Sequence, residues 1–263
     1  MKAATWARSG PCTAGSRERR HQRVHPAYVK PELLAVQPNE VWSWDITKLK
    51  GPVKGSGYHL YVILDIFSRY VVGWMITLRA SAQLAEHLIA ETVANQHIAP
   101  GTRTLHADRG SSMRSKPVAA LLVDLEVAKT HSRPHVSDDN PYAEASFKTL
   151  TYRPDFPERF GSLEDARAHC QRFFHWYNTI HGHSGIGLMT PERVPTGRAH
   201  ALFAQRADTL TVAFLANPKC FKGSAPHPPR LPPAAWIHSP KQETTTTPDP
   251  STVILCNLVS QSH

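Results

Sequence analysis

Three carboxylates stand out in this sequence because of the residues that surround each of them. Asp45 lies in an alternating stretch, Asp108 follows a short apolar one, and Glu144 comes soon after a proline, with 62 and then 35 residues in the two gaps. Carboxylate oxygens are the ligands that Mg²⁺ and Mn²⁺ prefer, and Mg²⁺ keeps several waters, so that few protein ligands suffice. If these side chains converge, they could hold a metal ion.

Each acid also has an ordinary structural explanation when it is considered alone. Asp45 could be a half-exposed strand residue, Asp108 a turn former, and Glu144 a carboxylate favoured by the positive end of a helix. Glu144 and Lys148 fall on one face of that helix, where the modest alternative is an ion pair worth about 0.3–0.5 kcal/mol. The functional alternative is a metal-binding carboxylate next to a cation that meets a phosphate.

The elements that must position these acids are predicted from hydrophobic periodicity. Alternation of apolar and polar residues predicts strands, and apolar residues three and four apart predict helices. The predicted elements are strands at 41–49, 58–67, 70–78, 104–107 and 128–131, and helices at 81–97, 117–125, from Asn140 as N-cap onward, and 163–180. Three adjacent strands followed by alternating helices and strands predict an α/β fold, a mixed sheet with helices on its faces.

The composition argues against several protein classes. The 263 residues are 41% hydrophobic, enough for one sizeable core, and the net charge of +9 favours a polyanionic partner. Four cysteines form no C-x-x-C pair, so the sequence supports neither a disulfide framework nor a zinc ribbon. No apolar stretch approaches the ~18 residues that a membrane span needs, and no apolar signal segment is present at the start.

Five stretches of the sequence together resemble a known family. They are VWSWDITKLK, YVILDIFSRYVVGW, LHADRGSS, THSRPHVSDDNPYAEASFKTL and WYNTIHGHSGIGLMTPERV. They resemble the second-frame transposases of bacterial insertion sequences, whose catalytic core is shared with retroviral integrases. The resemblance covers residues 16–240, its three acids fall on Asp45, Asp108 and Glu144, and the 35-residue gap is the hallmark spacing of the family.

The resemblance implies an RNase H-like fold with a mixed five-stranded sheet in the order βββαβαβα. It also implies a DDE-type enzyme with two Mg²⁺ or Mn²⁺ ions, in which Asp45 bridges both metals, Asp108 holds one and Glu144 holds the other. Water would nick DNA at an element end, and the freed 3′-hydroxyl would attack a target phosphodiester, so that the element is integrated.

The same resemblance implies the partners of the chain. These are DNA, both as element ends and as target, further copies of the chain, and a protein from an upstream reading frame. We therefore expect a cytoplasmic, nucleoid-associated protein.

The chain departs from the family on the helix of the glutamate. Relatives commonly carry Lys or Arg seven residues after it, where this chain has Thr151. A neutral threonine cannot neutralise a phosphate, so weaker DNA positioning is expected, with partial substitution by Lys148. The candidate DNA-contacting residues are Lys148, Thr151, Arg109, Arg133, His135 and His183.

Composition and resemblance divide the chain into four predicted segments. They are a basic flexible segment at 1–37, an integrase-type core at 38–195, a helical extension at 196–223 and a Pro/Thr-rich disordered tail at 224–263. The tail is predicted because prolines remove backbone donors. Residues 1–40 are too short for the N-terminal helical region with which relatives recognise terminal repeats, so a truncated copy is expected.

Two other functions compete with the transposase hypothesis. A catalytically inactive remnant that only binds DNA or dimerises would explain Thr151 and the short N-terminal region. A ribonuclease H would share the fold, but it fits the 35-residue gap and the WYNTIHGHSG stretch less well.

Overall fold

The computed structural model describes residues 32–97, 101, 103–108, 115–132, 139–221 and 224–240. Within them the strands are β1 (Leu33–Ala35), β2 (Val41–Lys50), β3 (Gly57–Asp65), β4 (Val71–Thr77), β5 (Arg103–Ala107), β6 (Val127–His131) and β7 (Ala235–Ile237). The helices are α1 (Ala82–Asn95), α2 (Lys116–Asp124), α3 (Pro141–Thr151), α4 (Leu163–Thr179) and α5 (Ala199–Ala216).

Five strands form a mixed sheet in the order β4-β3-β2-β5-β6. β2, β3 and β4 pair antiparallel, whereas β5 pairs parallel with β2 and β6 pairs parallel with β5. The parallel pairings need crossovers, and α1 and α2 supply them. The predicted fold class, α/β with a five-stranded mixed sheet of the RNase H-like type, is confirmed.

The sheet is covered on both faces, as β3 demonstrates. Leu60, Val62 and Leu64 belong to the hydrophobic cluster that contains residues of α3 and α4. Tyr61 and Ile63 belong to the opposite cluster, which contains residues of α1 and α2. Successive side chains of a strand point to opposite faces of the sheet. A strand that is covered on both faces, such as β3, therefore needs apolar residues at almost every position.

Two helices begin at serine caps. The Ser81 hydroxyl accepts a hydrogen bond from the backbone N–H of Leu84 at the start of α1, and Ser162 caps α4 through the N–H of Asp165. Such caps satisfy donors that the first turn of a helix leaves unpaired. The observed helix boundaries therefore fall close to the predicted ones.

The two flanks of the core meet in a small second sheet. β1 and β7 pair antiparallel, with Leu33 opposite Ile237 and Ala35 opposite Ala235. Ala35, Ala235 and Ile237 are buried in a third hydrophobic cluster that also contains Ile66. Distant parts of the chain are thus joined beside the main sheet.

Two segment predictions are wrong at their inner ends. β1 lies inside the segment 1–37 predicted to be flexible, and residues 224–240 of the predicted disordered tail are ordered and end in β7. Prolines restrict a backbone to extended conformations, which is compatible with a segment packed along a surface, and β7 itself contains none. Residues 1–31 and 241–263 lie outside the described part of the chain.

Among the described helices, none has the length and apolar character needed to cross a membrane.

Candidate active site

Asp45, in the middle of β2, and Asp108, directly after β5, occupy adjacent positions on two neighbouring strands. β2 and β5 are parallel, and Trp44 is paired with Ala107, so that the next residue along each strand is one of the two acids. Both side chains are half-buried. The parallel register therefore explains how two acids separated by 62 residues come together.

The two aspartates already have protein donors. Oδ1 of Asp45 accepts a hydrogen bond from the backbone N–H of Ile46 at 2.7 Å, and Oδ1 of Asp108 accepts one from the Ser132 hydroxyl at 2.5 Å. Ser132 is itself held by its N–H, which donates to the carbonyl of Ala107 at 3.1 Å. These contacts orient the carboxylates and leave further lone pairs on each.

Glu144 lies in the first turn of α3, which packs on β2 and β3. Its backbone N–H donates to the Asn140 carbonyl at 3.3 Å. The Asn140 amide donates to the carbonyl of Trp44 at 2.9 Å, and its oxygen accepts a hydrogen bond from the Ser43 hydroxyl. Asn140 thereby ties the start of α3 to the strand that carries Asp45.

Asn140 has the position predicted for it but a different role. It directly precedes α3, with Pro141 as the first helical residue, yet its side chain makes no capping hydrogen bond to the helix. The amide bonds to β2 instead, and the resulting contact between two elements cannot be read from the local pattern.

The electrostatics of Asp45 show that the three acids interact. Burial is the largest cause that raises the pKa of Asp45, to about 7 from an ordinary 3.8. The negative charges of Asp108 and Glu144 raise this pKa further, whereas the hydrogen bond from Ile46 lowers it. Asp108 and Glu144 therefore lie near enough to Asp45 for their charges to affect its ionisation, although burial has the larger effect.

The donor set fits a hard divalent cation, although the carboxylates do not form a finished metal centre. Three carboxylates supply only oxygen ligands, and a cation would offset the smaller part of the raised pKa of Asp45 that comes from the charges of Asp108 and Glu144. Among the described residues, however, no three His, Cys, Asp or Glu side chains are gathered closely enough to hold a metal.

His106 is a site residue that the sequence interpretation missed. It lies in β5 and is fully buried, and its Nε2 donates to the carbonyl of Asp139 at 2.8 Å while Nδ1 lies 2.9 Å from the Thr130 hydroxyl. Burial lowers the pKa of His106, which favours the neutral ring. A polar residue at a core position of a short strand was the signal, because such a residue requires partners.

The candidate DNA-contacting residues lie in different surroundings. Lys148 and Thr151 are exposed on α3, but the Thr151 hydroxyl donates back to the carbonyl of Phe147 at 2.9 Å. Three further candidates lie outside the described residues: Arg109, Arg133 and His135.

His183 lies in a cluster of aromatic rings. Its ring centroid is 4.6 Å from that of Tyr177 and 4.4 Å from that of His181, and its Nε2 atom is buried. Burial is the main cause that lowers the pKa of His183 to about 3, so the ring is neutral at physiological pH. A neutral, packed ring cannot neutralise a phosphate, and these surroundings favour a structural role over the predicted DNA contact.

Comparison with protein families identifies one domain type. Two family models match the chain, and both are described as an integrase core domain. One matches residues 35–137 and the other residues 125–191. Together they cover all three acids and the sheet that carries two of them.

Curated relatives are insertion-sequence transposases. The transposase for insertion sequence element IS904 of Lactococcus lactis is 28% identical over 64% of this chain and 65% of its own length. Transposase InsF for insertion sequence IS3A of Escherichia coli K12 is 30% identical over 65% of this chain and 60% of its own length. This chain thus matches somewhat less than two thirds of the length of these relatives.

Solved structures with partial similarity are retroviral integrases. The catalytic core domain of BIV integrase is 18% identical, covers 63% of this chain and 99% of its own, and has a TM-score of 0.44. The HTLV-2 integrase catalytic core domain, in complex with magnesium, is 14% identical, covers 61% of this chain and 98% of its own, and has a TM-score of 0.43. These values are too low to support a role for any residue of this chain.

Proposed function

We propose, since this chain belongs to the insertion-sequence transposases with an integrase-type core, that it is a DNA phosphoryl-transfer enzyme. It would cleave DNA at the ends of a mobile element and transfer the freed 3′-hydroxyl to a target phosphodiester. Its catalytic residues would be Asp45, Asp108 and Glu144.

These three carboxylates would hold Mg²⁺ or Mn²⁺. When bound, two such ions supply the positive charge that activates an attacking oxygen and stabilises a leaving one during in-line displacement. Asp45, Asp108 and Glu144 would each supply a carboxylate to these ions. The contacts of Ile46 and Ser132 would keep Asp45 and Asp108 oriented, so that less motion is needed at the moment of reaction.

The protonation of Asp45 would couple metal binding to pH. A carboxyl with a pKa of about 7 carries its proton part of the time at neutral pH. Cations bind the deprotonated form, so this carboxyl must release its proton when the site is loaded.

The observation that carries the proposal is the parallel register of β2 and β5, which places Asp45 beside Asp108, with Glu144 near enough to affect the pKa of Asp45. These residues are far apart in the chain, and a protein has little reason to bring three negative charges together unless a cation offsets their repulsion. The Asn140 bridge between α3 and β2 adds support, because it fixes the helix of Glu144 beside Asp45.

The partners of this reaction follow from the same proposal. The substrate would be DNA, as element ends and as target, and two ends would require more than one copy of the chain. A protein from an upstream reading frame would contribute the recognition of terminal repeats. A DNA substrate would also place the chain at the nucleoid.

The decisive experiment measures Mg²⁺- or Mn²⁺-dependent nicking and strand transfer on DNA that carries the ends of the parent element. Asp45→Asn, Asp108→Asn and Glu144→Gln should each abolish both steps while a gel shift still detects DNA binding. Glu91→Gln and Asp208→Asn, which change exposed acids on α1 and α5, are the matched controls and should retain activity.

Three results would contradict the proposal in different ways. Wild-type rates in any of the three site variants would refute the residue assignment. DNA binding by the wild-type chain without nicking would favour an inactive DNA-binding remnant. Hydrolysis of the RNA strand of an RNA–DNA hybrid would favour a ribonuclease H.

A further inference from the structure

The first turn of α3 depends on contacts from outside the helix. Asn140 makes no capping hydrogen bond to α3, because its amide is used on β2. The start of α3 is therefore held by the other contacts of residues 139–142.

Asp139 is fully buried and connects two other elements. Its backbone carbonyl accepts the hydrogen bond from His106 of β5. Its side chain is fully buried, and Oδ1 accepts a hydrogen bond from Nε2 of His238 at 2.7 Å. A buried carboxylate needs such a partner, because an uncompensated charge in the interior is strongly unfavourable.

Tyr142 provides a second link to the same C-terminal segment. Its hydroxyl donates to the backbone carbonyl of Trp236 at 2.8 Å. The guanidinium of Arg69 lies over its ring, 4.2 Å from the centroid. Tyr142 is one residue into α3, so both contacts act on the first helical turn.

The C-terminal segment is itself firmly anchored. β7 pairs with β1, and Ala235 and Ile237 are buried in the third hydrophobic cluster. His238 follows directly, with a φ of 57°, in the left-handed region that non-glycine residues seldom adopt. His238 keeps this uncommon backbone conformation at the place where its imidazole contacts Asp139.

We propose that residues 235–238 form a positioning element of the candidate active site. His238 acts through Asp139, and the Trp236 carbonyl acts through Tyr142. Together these contacts hold the first turn of α3 and thereby direct Glu144. His238 and Tyr142 are positioning residues in this proposal, since neither touches the three carboxylates. The catalytic consequence rests on the proposed function, whereas the structural consequence does not.

The test uses the full-length chain without metal and compares three variants. His238→Phe keeps a ring but removes the donor, His238→Gln keeps an N–H donor at similar reach, and Tyr142→Phe removes only the hydroxyl. His227→Phe is the matched control, because His227 is exposed on the same C-terminal segment.

Amide hydrogen exchange reads the position of the helix start directly. The N–H of Glu144, which donates to Asn140, should exchange about tenfold faster in His238→Phe and about threefold faster in Tyr142→Phe, because each loses a hydrogen bond that opposes local opening. Amide hydrogen exchange in β3 should be the same in these variants as in the wild type. Unchanged exchange there would exclude global unfolding as the cause of faster exchange at Glu144. His238→Gln should return the exchange of Glu144 to near the wild-type rate, and His227→Phe should equal wild type.

Nicking kinetics supply the second measurement. In His238→Phe the turnover number should fall roughly tenfold while the affinity for DNA stays the same, because misplacement affects the reacting geometry more than substrate binding. His238→Gln should recover most of the turnover number.

The outcomes separate this inference from the proposed function. Unchanged exchange at Glu144 in both His238→Phe and Tyr142→Phe, or no recovery in His238→Gln, would overturn the positioning role. If His238→Phe unfolds globally, Tyr142→Phe and His238→Gln provide the same comparison. A wild-type chain that never nicks DNA would refute the proposed function and leave the exchange result valid.

Discussion

Asp45 links the chemistry of the site to the stability of the fold. Burial, with the charges of Asp108 and Glu144, raises its pKa to about 7, against 3.8 in an ordinary setting. Between these two values the folded chain binds more protons than the unfolded chain, so the free energy of unfolding falls as pH rises. Above pH 7 the metal-free protein retains a carboxylate whose charge is disfavoured by its surroundings.

We therefore predict that Asp45→Asn stabilises the metal-free protein at pH 8 by about 1–2 kcal/mol and has a much smaller effect at pH 4. At pH 4 the wild-type carboxyl is already protonated in the folded state, so the amide replaces a neutral group. Urea unfolding at both pH values measures the difference, with the exposed Asp208→Asn as control. Equal effects at the two pH values would show that Asp45 does not titrate as described.

Helix α3 carries Glu144 in its first turn and Thr151 at its last residue. The Thr151 hydroxyl donates to the carbonyl of Phe147, so it is engaged with its own helix, while Lys148 is exposed one turn earlier. A basic residue at this position, which the family resemblance leads us to expect, would add a positive charge that attracts a DNA phosphate.

We predict that Thr151→Lys increases affinity for DNA and steepens the dependence of log K on log salt by about one unit, as one additional phosphate contact would. Thr211→Lys on α5 is the matched control, because Thr211 is exposed and also bonds back to its helix. Fluorescence anisotropy at several salt concentrations measures both quantities. If both variants change affinity equally, the effect is one of net charge and Thr151 does not reach the backbone.

The molecule as a whole is organised by a sheet packed between two hydrophobic clusters. Leu64 of β3 is fully buried in the cluster shared with α3 and α4, and Ile63 is fully buried in the opposite one. The opposite cluster also contains Trp44 of β2 and Ala107 of β5, the residues that directly precede Asp45 and Asp108, so the position of both acids depends on this core.

We predict that Leu64→Ala lowers the free energy of unfolding by about 2–5 kcal/mol, because it loses buried apolar surface and leaves a cavity. Leu78→Ala is the matched control: Leu78 is 63% exposed, and its truncation should change stability by less than about 0.5 kcal/mol. Denaturant titration measures both. A small effect of Leu64→Ala would mean that the sheet is less tightly packed than the structure indicates.

Local pattern was sufficient for the strands and helices of the core. Apolar and polar residues alternate in 41–50, and apolar residues recur at helical spacing in 163–179. Both patterns show which side chains face the interior, and they can be read from residues that are close together in the chain. The three acids were also candidates from the sequence, because a position inside a strand, a strand end and a helix start are local features, and the family resemblance with its 35-residue gap assigned them. Whether they act on a metal remains a proposal.

The contacts between distant segments were not available from local pattern. The pairing of β1 with β7, the bond between Asp139 and His238 and the use of Asn140 on β2 all join residues far apart in the chain. Such contacts depend on how complete elements pack in three dimensions, and many arrangements satisfy the same periodicity. The prolines near 226–233 suggested disorder because local pattern does not show what a segment packs against. Burial of Ala235 and Ile237 beside β1 keeps this segment folded on the core.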